Sequence, residues 1–356
     1  MAGIKDVAQH AGVSISTVSR VLNGHENISQ AKKEAVLKAA EALGYSPNAV
    51  AASLRRKSSN VVGVLIANQS SPFGSTLHTA IEAALAEKGY LAMVCSTLSQ
   101  VKREREYIRV LMEMQVGGVI IRPASGTLSN TARHAALLQR AGISVVYVET
   151  TPTKSRATSS VISGSFSGGQ MAIRKLFDLG HRDIAILIRG YDRRHTSTNP
   201  VTLRLKGALE EARRLGISNR ILIKEGFPGQ RFDFGHGAMA SVLETDPQVT
   251  AVFASTDLIG IGAISAIREA GLDVPTDISV IGYDGLAISE MTLPAMTTIS
   301  QRIDDMGQKA VNLMIEPFDQ QRRQATRNHP GTTADRARKH RLCSNMLTPT
   351  KKQDPK

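Results

Sequence analysis

The sequence is poor in the features that mark secreted and membrane proteins. It contains only 2 cysteines, Cys95 and Cys343, which are too few for a disulfide-stabilised secreted scaffold. No apolar run follows early basic residues as in a leader peptide, and no stretch is long enough to span a bilayer. We therefore expect a soluble, cytoplasmic protein that makes no membrane contact.

The chain also lacks the short motifs of common enzyme classes. It has no G-x-S-x-G elbow, no H-E-x-x-H pair, no Walker loop and no G-x-G-x-x-G after Val61. His181 follows Gly180, where a residue that terminates a helix is a better explanation than a catalytic base. The sequence therefore favours a binding protein without catalytic, metal or cofactor sites.

Length and charge indicate several folded parts. At 356 residues the chain is too long for one core, and with 42% hydrophobic residues it predicts a small module plus a body of two lobes. The net charge is +13, of which residues 1–60 carry +4 and residues 317–356 carry +7. Because most of the excess lies in the tail, only the local +4 around the first helices supports nucleic-acid binding.

Residues 4–23 show the pattern of two short helices joined by a tight turn. Gly12 can adopt the positive φ that ends the first helix, and Ser14 or Ser16 can cap the second. The residues that point outward from the second helix are Ile15, Ser16, Ser19 and Arg20. An apolar side chain, hydroxyls and a guanidinium suit the base edges of a major groove. The pattern predicts a helix-turn-helix, with an ordinary surface hairpin of helices as the alternative.

A third amphipathic helix is predicted from Ser29 to Leu43, which would complete a small headpiece. The next segment, 48–56, has enough apolar residues for one or two helical turns and ends in a polar linker. Helices this short are marginal alone in water, so this segment should become ordered only against another surface.

From Val61 onward, short β-branched runs alternate with longer amphipathic stretches, which predicts βαβ units around parallel sheets. The predicted strands are 61–67, 91–95, 118–121, 144–148, 184–188, 221–223, 251–254 and 279–281. The predicted helices are 77–88, 103–114, 130–141, 167–179, 201–215, 235–244, 258–270 and 303–315. One barrel or two open sheets would satisfy this order. The weakly patterned stretch 150–160 favours two lobes, the second beginning around Val161.

Independent motifs in this order resemble the LacI/GalR family of bacterial transcription repressors over about residues 3–315. The motifs are Ala11-Gly-Val-Ser14, Thr17-Val-Ser-Arg20-Val-Leu-Asn23, Gly44-Tyr-Ser-Pro-Asn48, Val62-Gly-Val64, Gly117-Gly-Val-Ile120, Ile278-Ser-Val-Ile-Gly-Tyr-Asp284 and Leu293-Pro-Ala-Met-Thr-Thr-Ile299. The resemblance implies an all-α headpiece at 1–46, a hinge helix and linker at 47–60, and a body at 61–316. That body resembles periplasmic binding proteins, with two doubly wound lobes of parallel sheet. It also implies an effector between the lobes and a homodimer.

By this resemblance, Ile15, Ser16 and Arg20 read bases, and Thr17, Ser19 and Asn23 contact phosphates. Phosphate contacts hold the register, whereas base edges specify sequence. In the hinge helix, Asn48 belongs to the DNA-binding set, Ala51 allows close helix approach and Leu54 enters the minor groove. A leucine wedge kinks DNA, and the cost of unstacking is offset by added contacts. For Leu54, plain packing of a linker turn is the alternative.

The matching effector-facing positions are Ser71, Phe73, Glu149, Arg204, Thr256, Asp257 and Asp284. Polar groups at the carboxyl ends of parallel strands are where such folds bind ligands. Together Arg204 and Asp284 would hold vicinal hydroxyls of a sugar, although each alone also fits an ordinary surface residue.

Three positions depart from the family pattern, namely Thr256 in place of Asn, Glu149 in place of Asp, and Gly164 in place of an acidic residue. The loop 189–199 is unusually basic, which leaves a sugar, a sugar acid or a sugar phosphate as the effector; a solvated loop is the alternative.

The tail at 317–356 lacks the ending that the resemblance implies, a strand followed by P-G-x-L-[IL]-x-R-x-S. Read one nucleotide later, the degenerate codons for Asn328 to Lys339 permit I-I-Q-G-Q-L-L-I-E-R-E-S, which is similar to that ending. We therefore favour a frameshift between Glu316 and Asn328 over a genuine basic tail, and expect residues from about 320 onward to be disordered.

The sequence as a whole predicts an operator-binding repressor controlled by a small-molecule effector. A regulator that requires its ligand as corepressor stays open. A ligand-binding receptor without regulatory activity is less favoured, because a headpiece stands where exported receptors carry a signal peptide.

Overall fold

The computed structural model describes residues 2–22, 28–45, 59–124, 128–151, 158–190, 199–225 and 231–327. Side chains are described over the same ranges, except 128–131 and 317–327. Two compact units result, 1–60 and 61–356. The first is the headpiece and the second is the body.

The headpiece consists of three helices, α1 (Ile4–His10), α2 (Ile15–Leu22) and α3 (Gln30–Ala42). Gly12 has φ +63°, as the predicted turn requires. The helices enclose a small core of aliphatic side chains: Val7, Ala8, Val18, Val21, Val36, Ala39 and Ala40. The predicted helix-turn-helix is therefore confirmed.

The first lobe of the body contains a five-stranded parallel sheet in the order β2-β1-β3-β4-β5. Its strands are β1 (Val61–Ile66), β2 (Leu91–Ser96), β3 (Gly118–Ile121), β4 (Ser144–Val148) and β5 (Ser159–Val161). Its helices are α4 (Pro72–Glu87), α5 (Val101–Glu113) and α6 (Leu128–Arg140). Helix α11 (Ile303–Arg327) also packs here, through Ile303, Met306 and Met314 among others.

The second lobe contains a second parallel sheet in the order β10-β9-β8-β6-β7. Its strands are β6 (Ile184–Leu187), β7 (Ile221–Lys224), β8 (Ala251–Ala254), β9 (Ser279–Asp284) and β10 (Thr297–Ser300). Its helices are α7 (Ser165–Asp178), α8 (Pro200–Arg214), α9 (Arg231–Thr245) and α10 (Asp257–Glu269), with 3₁₀ turns at Ser218–Arg220 and Ala287–Met291. Two open sheets, rather than one barrel, are therefore the correct alternative.

The chain passes between the two lobes three times. It leaves the first lobe after β5, and Leu286 after β9 returns to the core of that lobe. After β10 it crosses again to α11. The predicted lobe boundary near Val161 is therefore slightly early, because Val161 pairs with Val148 in the first sheet.

Several boundaries differ from prediction. Strands β5 and β10 were not predicted, and α4 begins at Pro72 rather than Leu77. Helix α11 continues to Arg327, so the expectation of disorder from about 320 is wrong for residues 320–327. The rest of the tail, from 328, lies outside the described residues.

Candidate functional site

Helix α2 presents the side chains predicted to read DNA. Ile15 is 45% exposed, and Ser16 and Arg20 are exposed as well. The opposite side of the helix buries Val18 and Val21 in the headpiece core. An exposed apolar residue, a hydroxyl and a guanidinium thus share one surface, as base contacts in a major groove require.

Ser14 caps α2, because its Oγ accepts a hydrogen bond from the Thr17 amide at 3.2 Å. The same oxygen lies 2.8 Å from the hydroxyls of Ser16 and Thr17. Thr17 and Ser19 are half-buried beside the exposed set. The other predicted DNA contacts lie outside the described residues; they are Asn23 and, in the predicted hinge helix, Asn48, Ala51 and Leu54. The same holds for Arg193, Arg194 and His195, which make the predicted loop 189–199 basic.

A cleft of about 280 Å³ lies between the two lobes of the body. Six of the seven predicted effector residues line it: Ser71, Phe73, Glu149, Arg204, Thr256 and Asp284. Glu149 follows β4, Thr256 follows β8 and Asp284 ends β9. The carboxyl ends of strands from both sheets therefore meet at this cleft, as expected for a doubly wound fold.

Arg204 and Asp284 form a buried pair at the floor of the cleft. Nη1 of Arg204 lies 3.4 Å from Oδ1 of Asp284 and donates to the Ser255 carbonyl at 2.7 Å. The guanidinium also stacks on the Tyr283 ring, with Cζ 3.7 Å from the ring centroid. A cation fixed on three sides can present its remaining donors to a ligand without further loss of side-chain entropy.

The carboxylate of Asp284 also accepts a hydrogen bond from Nε2 of Gln301 at 2.6 Å. Burial raises the pKa of Asp284 to about 6, although the positive charge of Arg204 opposes that shift. Gln301 lines the cleft and was not predicted, since an amide between a strand and a helix carries no distinctive pattern.

Ser71 and Phe73 shape the first-lobe wall. The Ser71 hydroxyl caps α4, since it donates to the Asn68 carbonyl at 2.9 Å and accepts from the Gly74 amide at 3.1 Å. The Phe73 ring lies 5.1 Å from Cζ of Arg122. Ser71 thus orients the helix start, whereas Phe73 supplies apolar surface.

Asp257 is the exception among the predicted effector residues, because it does not line the cleft. Its carboxylate accepts hydrogen bonds from the Leu286 amide at 2.8 Å and from the Thr298 hydroxyl. Burial raises its pKa. Both oxygens of Asp257 are therefore engaged, one by Leu286 at the second crossing and the other by Thr298 on β10, and its role in effector binding stays a prediction.

Family and structural comparisons agree with this geometry. Residues 3–48 match the family described as bacterial regulatory proteins, lacI family, and residues 173–337 match the periplasmic binding protein-like domain. The HTH-type transcriptional repressor PurR of Pasteurella multocida is 32% identical over 96% of this chain and 100% of its own length. The chain belongs to the LacI family.

Two further similarities also support the assignment of this chain to the LacI family. The ribose operon repressor of Halalkalibacterium halodurans is 31% identical over 90% of this chain and 91% of its own length. The lac repressor dimer bound to operator and the anti-inducer ONPF has a TM-score of 0.76 at 28% identity, covering 90% of this chain and 93% of that one. The predicted family, fold class and function as an effector-controlled transcriptional repressor are therefore confirmed.

The departures from the LacI-family pattern have local structural roles. Glu149 has φ +60°, and its two oxygens accept hydrogen bonds from the Ser163 amide at 2.6 Å and the Ser163 hydroxyl at 3.0 Å. Thr256 caps α10 by accepting from the Ile259 amide at 3.4 Å. Gly164 occupies the N-cap position of α7 without a side chain.

Three further arginines line the cleft of this LacI-family protein and were missed: Arg122, Arg189 and Arg231. Arg122 directly follows β3, so its position at a strand end was the signal that could have found it. From the sequence, Arg189 stands out only as part of a basic loop. Arg231 begins α9 after a segment without a readable pattern.

His181 has a structural role, consistent with its interpretation as a helix-terminating residue. Its Nδ1 lies 2.9 Å from the Thr250 hydroxyl, and its Nε2 lies 2.9 Å from the Ser279 hydroxyl. Burial lowers its pKa. Over the described ranges no helix is long and apolar enough to cross a membrane, and no group of three or more acidic, histidine or cysteine side chains is placed to hold a metal.

Proposed function

We propose that this LacI-family repressor responds to a sugar or sugar derivative that binds between the two lobes of its body. The observation that carries the proposal is the buried pair of Arg204 and Asp284, whose polar atoms face the cleft beside Gln301. A fixed donor next to a fixed acceptor matches two neighbouring hydroxyls. The name of the ribose operon repressor, a relative, agrees with a sugar ligand.

On DNA, we propose that two headpieces of a homodimer bind a near-palindromic operator. The exposed side chains of α2 read bases, and Thr17 and Ser19 contact phosphates beside them. The contribution of Asn23 and of the hinge residues Asn48, Ala51 and Leu54 remains part of this proposal. The protein catalyses no reaction in this scheme and works in the cytoplasm, where the operator lies.

The DNA part is tested by selecting operator sequences with the full-length protein and then measuring Arg20→Ala. Loss of one bidentate base contact should cost about 1–3 kcal/mol and relax the preference at one base pair per half-site. The matched control is Lys38→Ala on α3, an exposed charge on a helix assigned no base contact. Equal weakening on cognate and random DNA would show that Arg20 only contacts phosphate.

The effector part is tested by a thermal-shift screen against sugars, sugar acids and sugar phosphates, followed by Arg204→Ala. Because the substitution leaves Asp284 and the ligand unpaired, it should reduce effector affinity by about 2 kcal/mol or more, with a smaller change in operator affinity without effector. A normal response of Arg204→Ala to the effector would place the pocket elsewhere. The direction of the DNA response separates an inducer from a corepressor.

A further inference from the structure

The cleft carries an excess of positive charge. Its charged lining residues are the arginines at 122, 189, 204 and 231 and the acids at 149 and 284. Arg204 is paired with Asp284, and the carboxylate of Glu149 accepts two hydrogen bonds from Ser163. A neutral sugar would therefore leave part of this charge uncompensated.

Among the residues that the structure describes, two of these guanidinium groups line the cleft without a carboxylate partner. Within the described part of the chain, neither Arg122 nor Arg231 forms an ion pair. The Nε atom of Arg122 is buried and has no hydrogen-bond partner there, while its Cζ lies over the Phe73 ring. Burial lowers the pKa of both arginines, although Asp284 opposes the shift for both and Glu149 opposes it for Arg122.

The two arginines approach the cleft from different lobes. Arg122 follows β3 of the first lobe, and Arg231 is the first residue of α9 in the second lobe. The charge of Arg231 lowers the pKa of Arg122, and the charge of Asp284 acts on the pKa of both arginines, so the two guanidinium groups share a common space. Removing a guanidinium from water without a counter-charge is unfavourable, and a bound anion would remove that penalty.

We propose that the effector carries an acidic group, a carboxylate or a phosphate, and that Arg122 and Arg231 select it from opposite walls of the cleft. This inference rests on the proposed function, since it assumes that the cleft is the effector site. Planar guanidinium groups match either oxyanion through paired N–H donors. The arginines then distinguish acidic from neutral sugars, while Arg204 and Asp284 hold hydroxyls. An anion bound by both lobes also favours the conformation in which the two lobes lie close together.

The test uses the full-length protein with inorganic phosphate and acetate as probes, against chloride at equal ionic strength. Arginine Nε–H resonances are followed by NMR, and the Arg122 resonance is assigned by its loss in Arg122→Gln. We expect a saturable shift of this resonance with at least one probe. In Arg231→Gln the apparent affinity for the anion that shifts this resonance should fall about tenfold, which is the effect of losing one charge-assisted hydrogen-bond pair.

The matched control is Arg213→Gln, which removes an equal charge from an exposed position near the end of α8. It should leave the titration unchanged. A response to phosphate alone points to a phosphate ester, and a response to acetate alone points to a carboxylic acid. The absence of a saturable shift, or equal weakening by Arg213→Gln, overturns the inference.

Operator binding by the same samples keeps the two conclusions apart. If the wild-type protein and the variants bind operator but no anion reaches Arg122, only the acidic effector is contradicted. If the effector found by the thermal-shift screen acts normally on operator binding by Arg204→Ala, the proposed effector site itself fails, whatever the anion titration shows. Retained operator binding also shows that Arg122→Gln and Arg231→Gln are folded.

Discussion

Two carboxylates that line the cleft are also bonded to the segments that join the lobes. Glu149 binds Ser163 on the first crossing, and Asp284 binds Gln301 on the third. A ligand that takes hydrogen bonds from either carboxylate therefore changes the bonding of a crossing segment. A ligand shifts a conformational equilibrium by the difference in its affinity for the two conformations. These hydrogen bonds therefore link effector binding to the relative position of the lobes.

Asp284 predicts a measurable pH dependence of stability. Its folded-state pKa of about 6 lies above the ordinary value of 3.8, chiefly because of burial. The folded state therefore holds this proton more tightly than the unfolded state, so the stabilisation is fully present below about pH 4 and is lost as the pH rises through 6. Asp284→Asn removes the titration. Relative to this variant, the free energy of unfolding of the wild type should fall between pH 4 and 7.

Urea unfolding at a series of pH values measures this difference. Any constant effect of the asparagine cancels, because only the slope with pH is compared. The matched control is Asp273→Asn, because the Asp273 side chain is exposed to water. This variant should leave the slope of the unfolding free energy with pH unchanged. A difference between wild type and Asp284→Asn that stays constant with pH would contradict the raised pKa.

At the residue scale, the resemblance predicted Arg204, Asp284 and Glu149 as effector residues, and all three line the cleft: Glu149 and Asp284 stand at strand ends, whereas Arg204 lies on α8. Asp257, predicted with them, does not line the cleft, because its position beside Thr256 does not reveal that the amide of a distant residue, Leu286, binds its carboxylate. Arg122 was missed although it directly follows β3, because a position at a strand end does not by itself show that the guanidinium is buried. Its Nε has no hydrogen-bond partner in the described part of the chain, and this burial beside Phe73, from another element, is visible only in the folded structure.

At the scale of elements, a close contact between α7 and α8 positions Arg204. A Cβ at Gly207 would overlap the carbonyl oxygen of Phe166, and one at Gly169 would overlap the carbonyl oxygen of Arg204. Only glycine allows the two backbones to approach in this way. The separation of these helices therefore sets how far the Arg204 side chain reaches into the cleft.

Gly207→Ala should consequently destabilise the body and weaken effector binding together. Overpacking of this kind costs about 1–3 kcal/mol, and here the overlapping atom is backbone and cannot rotate away. Thermal unfolding and effector titration measure the two effects. Glu210→Ala on the exposed side of the same helix is the control and should change neither. Full effector affinity in Gly207→Ala would show that Arg204 does not depend on this contact.

Most strands and helices with strong periodicity were predicted close to their observed bounds, apart from the starts of α4 and α9 and the ends of β9 and α11, whereas two short edge strands were not predicted. Strand β5 has three residues, only one of them buried, and β10 buries only Ile299. Such segments carry too little hydrophobic pattern to be recognised, and they form because an existing sheet edge offers hydrogen bonds. Their pairing follows from the fold rather than from their own sequence.

At the scale of the whole molecule, the homodimer remains a prediction, supported by two exposed apolar side chains. Met291 is 76% exposed and Leu293 is 78% exposed, near the second crossing. Neighbouring exposed apolar residues of this size are typical of protein interfaces. Leu293→Glu should shift the protein from dimer to monomer, because a buried unpaired charge is unfavourable. Sedimentation velocity measures the change.

The control for this prediction is Leu179→Glu, which places the same charge at another exposed leucine of the second lobe, 56% exposed. It should leave the dimer intact. A dimer that persists in Leu293→Glu with unchanged dissociation constant would locate the interface elsewhere. Because palindromic operators require two headpieces, a monomeric variant should also lose most of its operator affinity.

The carboxyl-terminal tail gives the last prediction for the whole chain. Helix α11 packs its first half on the first lobe, yet β5 remains a three-residue edge strand of that sheet. The ending that the alternative frame permits contains the apolar segment L-L-I, which can form an added edge strand. The tail as written has ten basic and three acidic residues between 317 and 356 and supplies no comparable apolar segment. An exposed strand edge favours aggregation.

We therefore expect the version with the alternative ending to melt at a higher temperature and to aggregate less than the version as written. Both are expressed side by side and compared by thermal unfolding, light scattering and protection of the C-terminus against protease. A third version that ends after Arg327 separates the effect of losing a strand from any destabilisation or aggregation caused by the basic tail. If the written version melts as high as the restored one and its tail resists protease, the tail is a genuine structural element and the frameshift hypothesis is wrong.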